Sequence, residues 1–264
     1  ARELRAEGHA VVVLERGSDL GGVWVYDART ESDPLGLDPA RAPKVHSSMY
    51  ASLRTNLPRE VMGYESFPFT AVFGGDRRRF CGHAEVAAYL MAFAEQYGVR
   101  QLVRFNTEVL SARPIEPRPG RGRGEQAADE DDDDDADAEE EDARRWGPKW
   151  RVVSTTTTSS SSTSGDNSVE EVYDAVVVCN GHYSEPRVPR FPGSPPGGSW
   201  PGTLQMHSHN YRDPAMFTGK NVVVLGAMAS GEDISREIAA VARVVHLAAR
   251  GYDGGGRGVS VKKP

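Results

Sequence analysis

"KNVVVLGAMASGEDISREIAAVARVVHLAAR", residues 220–250, decides the fold class. Val222 to Leu225 is a short apolar run, rich in Val, of the kind that forms a buried parallel strand. Gly226 follows where such a strand turns sharply, and Ser230 to Ala240 has helical spacing. "VVHLAAR" then reads as a second strand that ends at Arg250. Strand, glycine turn, helix and strand make a complete dinucleotide-binding unit. In its G-x-G-x-x-G frame the glycine positions fall on Gly226, Met228 and Gly231, so the middle one is occupied by Met. That position normally lets the backbone approach a diphosphate closely, and a Met side chain there is expected to obstruct it unless the loop shifts. The helix start at Ser230 offers free amides and the positive end of a macrodipole to a pyrophosphate. Asp233 suits the same dipole or serves as a cap. Arg250 stands where an NAD-type unit has an acid, and a guanidinium there can pair with the 2′-phosphate of NADP; otherwise it is a surface Arg at a strand end.

A second, partial unit opens the chain. Ala1 to Glu7 reads as the end of a helix with Gly8 as its cap, and "AVVVLE", residues 10–15, as a buried parallel strand. Glu15 closes that strand where a dinucleotide unit needs a carboxylate for ribose hydroxyls. "GSDLGGVW" follows, and Gly21 and Gly22 let the backbone pass close to a cofactor while Trp24 can flank a ring. Taken singly, Glu15 is equally a solvated strand end and Gly21-Gly22 a plain turn. The first strand and its glycine loop are expected just upstream. With no initiator Met and an opening inside a helical pattern, the chain is expected to be an interior piece of a longer protein.

Between the two units, residues 82–99 carry Val86, Tyr89, Leu90 and Phe93 at helical spacing, ended by Gly98. Strand candidates follow at Val103 to Val109, at "KWRVVS" (149–154), and at 173–180, where a buried strand runs into Asn180-Gly181. An acidic tract and a Ser/Thr tract interrupt them and read as solvated spacers, enlarged turns of a β-meander. After residue 250 the chain is expected to end before a further strand forms. "RTNLPRE", residues 54–60, raises a separate question. Pro58 keeps Leu57 out of helical dihedrals, so Asn56 lies on an extended or turning segment, as a turn former or as a side chain aimed at a ligand.

The net charge of −7 is local, because the 12 acidic residues of Asp129 to Asp142 leave the rest of the chain at +5. That balance is compatible with an anionic ligand and gives no sign of nucleic-acid binding. Cys81 and Cys179 supply no disulfide framework or metal spacing, and a reducing, cytoplasmic location is expected. His207 and His209 lack accompanying cysteines or acids, so a hydrogen-bonding role is favoured over a metal site. No signal peptide or run of eighteen apolar residues is visible.

Taken together, "LERGSDLGGVW", "SSMYASLRTNLPREVMGYESFPF", "AEVAAYLMAFAEQYGV", "DAVVVCNGHYSEPRVP" and "MHSHNYR" resemble the flavin-containing monooxygenases, most of all their plant S-oxygenating branch. The family signature, aromatic-x-Gly-x₃-His-x₃-aromatic, is similar to Trp200, Gly202, His207 and Tyr211, with one extra residue before the His and Trp in place of Phe. The resemblance implies an α/β fold of two Rossmann-like dinucleotide-binding domains, the NADPH domain inserted into the FAD domain, with a β-meander. The FAD domain is expected over residues 1–190, with insertions at 118–148 and 154–168, a linker over 191–219, and the start of the NADPH domain over 220–264. Glu15, Arg16, Gly21, Gly22 and Trp24 are implied as FAD contacts, Gly226, Ser230 and Arg250 as NADPH contacts, and Asn56 as the active-site Asn. The implied reaction transfers one oxygen atom from a flavin C4a-hydroperoxide to a soft sulfur or nitrogen nucleophile, with O₂ and a small molecule as partners.

Two other readings compete. A Baeyer–Villiger oxygenase shares the two-dinucleotide plan, whereas a disulfide reductase is disfavoured by the lack of a C-x-x-C or C-x₄-C pair. A dinucleotide-binding remnant without turnover is the non-enzyme alternative, motivated by Met228 and the long insertions.

Overall fold

Helix α1 (Arg2–Ala6) stops at Gly8, whose φ of 90° lets the chain reverse at a conformation that a β-carbon disfavours. The computed structural model describes residues 1–115, 147–157, 168–190, 200 and 203–249, together with the backbone of a strand at Val259–Val261. The chain divides into two compact units, residues 1–19 with 97–180, and residues 20–96 with 181–264.

In the first unit, β1 (Val13–Leu14) pairs in parallel with β2 (Val103–Arg104), so the expected "AVVVLE" strand is present in part and only half buried. The single strand expected over Val103 to Val109 is two. Asn106 takes a φ of 53°, a left-handed conformation that Asn tolerates better than most residues, and the chain there leaves β2 for β3 (Thr107–Pro114). Strands β3, β4 (Trp150–Thr156) and β5 (Ser168–Tyr173) form an antiparallel meander in that order. Strand β4 continues through Thr156, past the expected start of the Ser/Thr insertion. The acidic tract lies outside the described residues, as does most of the Ser/Thr tract.

The buried strand expected after Tyr173 does not form. Residues 174–180 have no ladder partner among the described strands, and Val177 and Val178 are 66% and 77% exposed. A parallel strand is buried by the neighbours it pairs with, and an apolar run alone does not supply them.

The second unit contains α2 (His83–Gln96) and the dinucleotide element. Val86 and Tyr89 of α2 join Phe69 and Cys81 in an apolar cluster, with Trp24, Met62, Phe67, Phe73 and Leu90 packed around it. Strand β6 (Asn221–Leu225), α3 (Ala229–Ala239) and β7 (Val244–Ala248) form the unit read from residues 220–250, with β6 and β7 parallel. Ile234 and Ile238 of α3 are buried with Val245, Ala242, Tyr50, Tyr211 and Phe217 in a second cluster. The expectation that no strand follows is corrected, since β8 (Val259–Val261) pairs antiparallel to β7. Edge pairing needs only three extended residues, even next to a glycine-rich stretch.

Candidate functional site

The turn between β6 and α3 has the close packing that its glycines imply. Gly226 adopts a φ of 103°. A β-carbon on Gly231 would sit 1.9 Å from the Gly226 carbonyl oxygen, so the helix rests directly on the turn. These two glycines thus hold the first and last places of the dinucleotide motif for the stereochemical reasons those places require. Met228 has a φ of −74° and ψ of 176°, extended backbone that any residue adopts, and its side chain is 84% exposed. It caps α3 without a side-chain oxygen, so the first-turn amides around Ser230 gain no side-chain acceptor from it. A helix start with no capping side chain and a glycine-lined approach fits a nucleotide pyrophosphate.

Two carboxylates on the next turns of α3 reach back to the segment before Asn56. Tyr50 donates its hydroxyl to Asp233, and Ser52 donates to Glu237 Oε1. Tyr211 donates to Glu237 Oε2 at 2.5 Å. The rings of Tyr50 and Tyr211 meet edge to face, 5.4 Å apart. Burial, and then the carboxylate beside each hydroxyl, pushes both phenols well above their ordinary values, so both stay protonated donors. Asp233 is therefore tied to another segment instead of capping its own helix.

The "RTNLPRE" loop is held from both sides. Arg54 bridges to Gly82, Thr55 N donates to Cys81 O at 2.8 Å, and Arg59 N donates to Arg79 O at 2.9 Å. Arg59 is buried and reaches Glu85 at 2.5 Å, with further bonds to the Ala71 and Asp76 carbonyls. Glu85 also accepts from the amides of Phe73, Gly74 and Asp76. Burial raises the Glu85 carboxyl, but the Phe73 amide, Arg59 and the remaining amides outweigh it and leave the group below its ordinary value. Asn56 lies at the bend between these anchors, exposed, and its side chain makes no hydrogen bond among the described residues. Pro58, two residues on, has no N–H to bond the Asn56 side chain locally. The side chain stays available to a ligand, on a loop fixed by its neighbours.

The other predicted contacts fall in both units. In the first, Glu15 Oε1 accepts from Gly17 N at 2.6 Å, and exposed Arg16 lies 3.9 Å from Glu108. In the second, Gly21 and Gly22 have φ values of 122° and 51° and lead into a 3₁₀ turn ending at Trp24, which packs against the α2 cluster. Gly202 and Arg250 lie outside the described residues.

Residues 206–212, "MHSHNYR", are the hub of the second unit. Arg212 is buried and donates to the carbonyls of Asp27, Arg29, Ser47, His209 and Tyr211. Asn210 accepts from Glu31 N and donates to the Asp33 and Pro34 carbonyls. His209 is buried with Nδ1 2.6 Å from Ser48 Oγ, in keeping with a hydrogen-bonding role. No cluster of His, Cys, Asp or Glu among the described residues could hold a metal ion, and no helix among them is long and apolar enough to cross a membrane.

Sequence reasoning missed Tyr50, Ser52 and Glu237. A local signal existed: Asp233 and Glu237 recur one turn apart, each beside an isoleucine of the buried stripe.

The flavin-binding monooxygenase-like family matches residues 4–138 and 147–255. Flavin-containing monooxygenase FMO GS-OX-like 2 of Arabidopsis thaliana is 50% identical over 253 residues, 95% of this chain and 46% of the relative. S-allyl-L-cysteine S-oxygenase from Allium sativum superimposes with a TM-score of 0.77 at 42% identity, over 100% of this chain and 50% of that structure. The OTEMO complex with FAD and NADP shares the fold, with a TM-score of 0.51 at 20% identity over 94% of this chain and 36% of that one. The chain spans about half the length of the curated relatives it matches. The α/β class read from the sequence, built on dinucleotide-binding domains, is the fold shared with these neighbours.

Proposed function

The chain belongs to the flavin-binding monooxygenase-like family, and on that premise we propose that the protein is an FAD- and NADPH-dependent monooxygenase acting on a soft sulfur or nitrogen nucleophile. Sulfur is the favoured atom, because the Allium sativum structure, 42% identical, is that of an S-oxygenase. The observation that carries the reading is the Gly226–Gly231 contact, the close packing of turn on helix that the first and last glycines of a dinucleotide motif provide. FAD, when bound, would supply the redox chemistry that couples oxidation of one NADPH to transfer of one oxygen atom of O₂ to the substrate, the other leaving as water.

The residues of this chain bind and orient. Glu15 offers a carboxylate to ribose hydroxyls, with one oxygen already fixed by the Gly17 amide. In the first unit Arg16 adds positive charge, and in the second Gly21 and Gly22 offer backbone to the cofactor while Trp24 gives a wall set against the α2 cluster. Gly226 and the Ser230 amide receive the NADPH pyrophosphate, and Arg250 selects its 2′-phosphate. Asn56 donates and accepts hydrogen bonds without titrating, so it can hold a ribose or an oxygen-derived group in place at any working pH.

The test is the holoenzyme's flavin absorbance per mole, followed by NADPH oxidation with and without a small thioether. Near-stoichiometric FAD and thioether-dependent NADPH oxidation that yields sulfoxide support the reading. A colourless protein would overturn it in favour of a remnant without turnover, and NADPH oxidation that yields only hydrogen peroxide would overturn the oxygen transfer.

A further inference from the structure

The Asp233 and Glu237 carboxylates have no role in the contacts assigned above. They sit one turn apart at the border of the α3 core stripe, beside Ile234 and Ile238. Neither forms an ion pair among the described residues; the pair on this helix is Arg236 with Glu232. Asp233 is exposed and Glu237 half-buried, and for packing alone the two isoleucines suffice. What the carboxylates add is direction. A hydroxyl-to-carboxylate bond is short and charge-assisted, and it fixes the distance between the segments that carry its two ends.

Those segments carry the residues proposed above to receive the NADPH pyrophosphate and to orient a ribose or an oxygen-derived group. One is α3, whose first turn lies immediately before Asp233. The other leads to Asn56: Tyr50 and Ser52 are bonded to α3, Leu53 packs against its core cluster, and Thr55 is pinned to Cys81. Tyr211 shares Glu237 with Ser52 and packs edge to face on Tyr50, which joins the three hydroxyls into one group.

We propose that Tyr50, Ser52 and Tyr211 are positioning residues that clasp α3 through Asp233 and Glu237, and so hold Asn56 at one spacing from a nicotinamide nucleotide bound at the helix mouth. The inference rests on the monooxygenase reading and deepens it. NADP⁺ bound through α3 meets Asn56 at the correct distance only while the clasp is closed. Opening it leaves the pyrophosphate contacts in place and loosens the far end of the nucleotide.

The experiment is calorimetric titration of the FAD-loaded holoenzyme with NADP⁺, for Tyr50→Phe combined with Ser52→Ala, for Asn56→Ala, and for all three together. The double variant keeps the ring of residue 50 in the core cluster and removes two donors to carboxylates, so the dissociation constant is expected to rise about tenfold. In the Asn56→Ala background the same two changes are expected to have little further effect, since the clasp acts through that residue. Flavin content is expected to stay at the wild-type value. A purely structural role would lower the melting temperature and give additive effects on NADP⁺ affinity, and that result, or an unchanged affinity, would overturn the clasp. If the double variant does not fold, Ser52→Ala alone, at an exposed serine, carries the same comparison. Wild-type protein that binds FAD and NADP⁺ while the variants match it refutes the clasp alone. Wild-type protein that binds neither refutes the monooxygenase reading, and the clasp with it.

Discussion

Replacing Gly231 with Ala should destabilise the protein, although helix propensity taken alone says the reverse. Gly231 lies in the first turn of α3, where Gly→Ala ordinarily gains about 1 kcal/mol. Here the new β-carbon would stand 1.9 Å from the Gly226 carbonyl oxygen and 2.8 Å from its carbonyl carbon. Ordinary contact needs about 3.5 Å, so the turn and the helix must separate by roughly 1.5 Å. Neither can move freely. The Gly226 amide is bonded to the Ala248 carbonyl at 2.7 Å, and α3 is held by Ile234, Ile238, Asp233 and Glu237. Overpacking of this kind costs about 1–3 kcal/mol, toward the upper end where the obstacle is backbone, and more than offsets the propensity gain. The net expectation is a loss of about 2 kcal/mol, read as a lower urea midpoint at unchanged m-value in the holoenzyme. NADP⁺ affinity should fall as well, because the same displacement moves the helix mouth. Equal or greater stability of Gly231→Ala would refute the close packing of turn and helix, and the assignment of the motif glycines with it.

Three other outcomes are expected. Asn56→Ala should keep its FAD and lose sulfoxide formed per NADPH oxidised; unchanged yield would return Asn56 to a turn role. Arg250→Ala should reduce the NADPH-over-NADH preference in kcat/KM by about tenfold or more, the worth of a charge-assisted pair, and an unchanged ratio would make Arg250 a surface residue. Glu85→Gln leaves Arg59 buried without its counter-charge and should cost about 3 kcal/mol. Since the folded state holds the Glu85 carboxyl below its ordinary value, wild-type stability from this group is present above the carboxylate range and lost as pH falls through the depressed value. The variant's stability should therefore vary less with pH on the acid side, and parallel acid-denaturation curves would rule out that linkage.

How much of this was legible in the sequence depends on how local each cause is. The β6–α3–β7 element could be read because its valines, its turn glycine and its helical stripe lie within one stretch of 31 residues, 220–250. Helix α2 was equally plain from Val86, Tyr89 and Gly98. The strand expected after Tyr173 failed because an apolar run becomes a strand only beside a partner, and nothing in "DAVVVCNG" says whether one is present. Residues 103–109 divided at Asn106 because one left-handed residue outweighs the β-propensity around it. Asn56 was singled out by its neighbours Leu57 and Pro58, but the anchors that fix its loop, Arg59 with Glu85, are 26 positions apart. The bonds from Tyr50 and Ser52 to α3 span 183 and 185 positions, beyond the reach of any periodicity or motif. The carboxylates at the edge of the α3 stripe were visible, and their partners were not.

The most direct test of the account is the origin of the transferred oxygen atom. The holoenzyme would be supplied with NADPH and a small thioether under ¹⁸O₂ in unlabelled water, and the sulfoxide analysed by mass spectrometry. Transfer of one atom of O₂ by an FAD- and NADPH-dependent monooxygenase predicts one ¹⁸O per sulfoxide and one NADPH consumed for each. Unlabelled sulfoxide, or labelled peroxide with no sulfoxide, would contradict it.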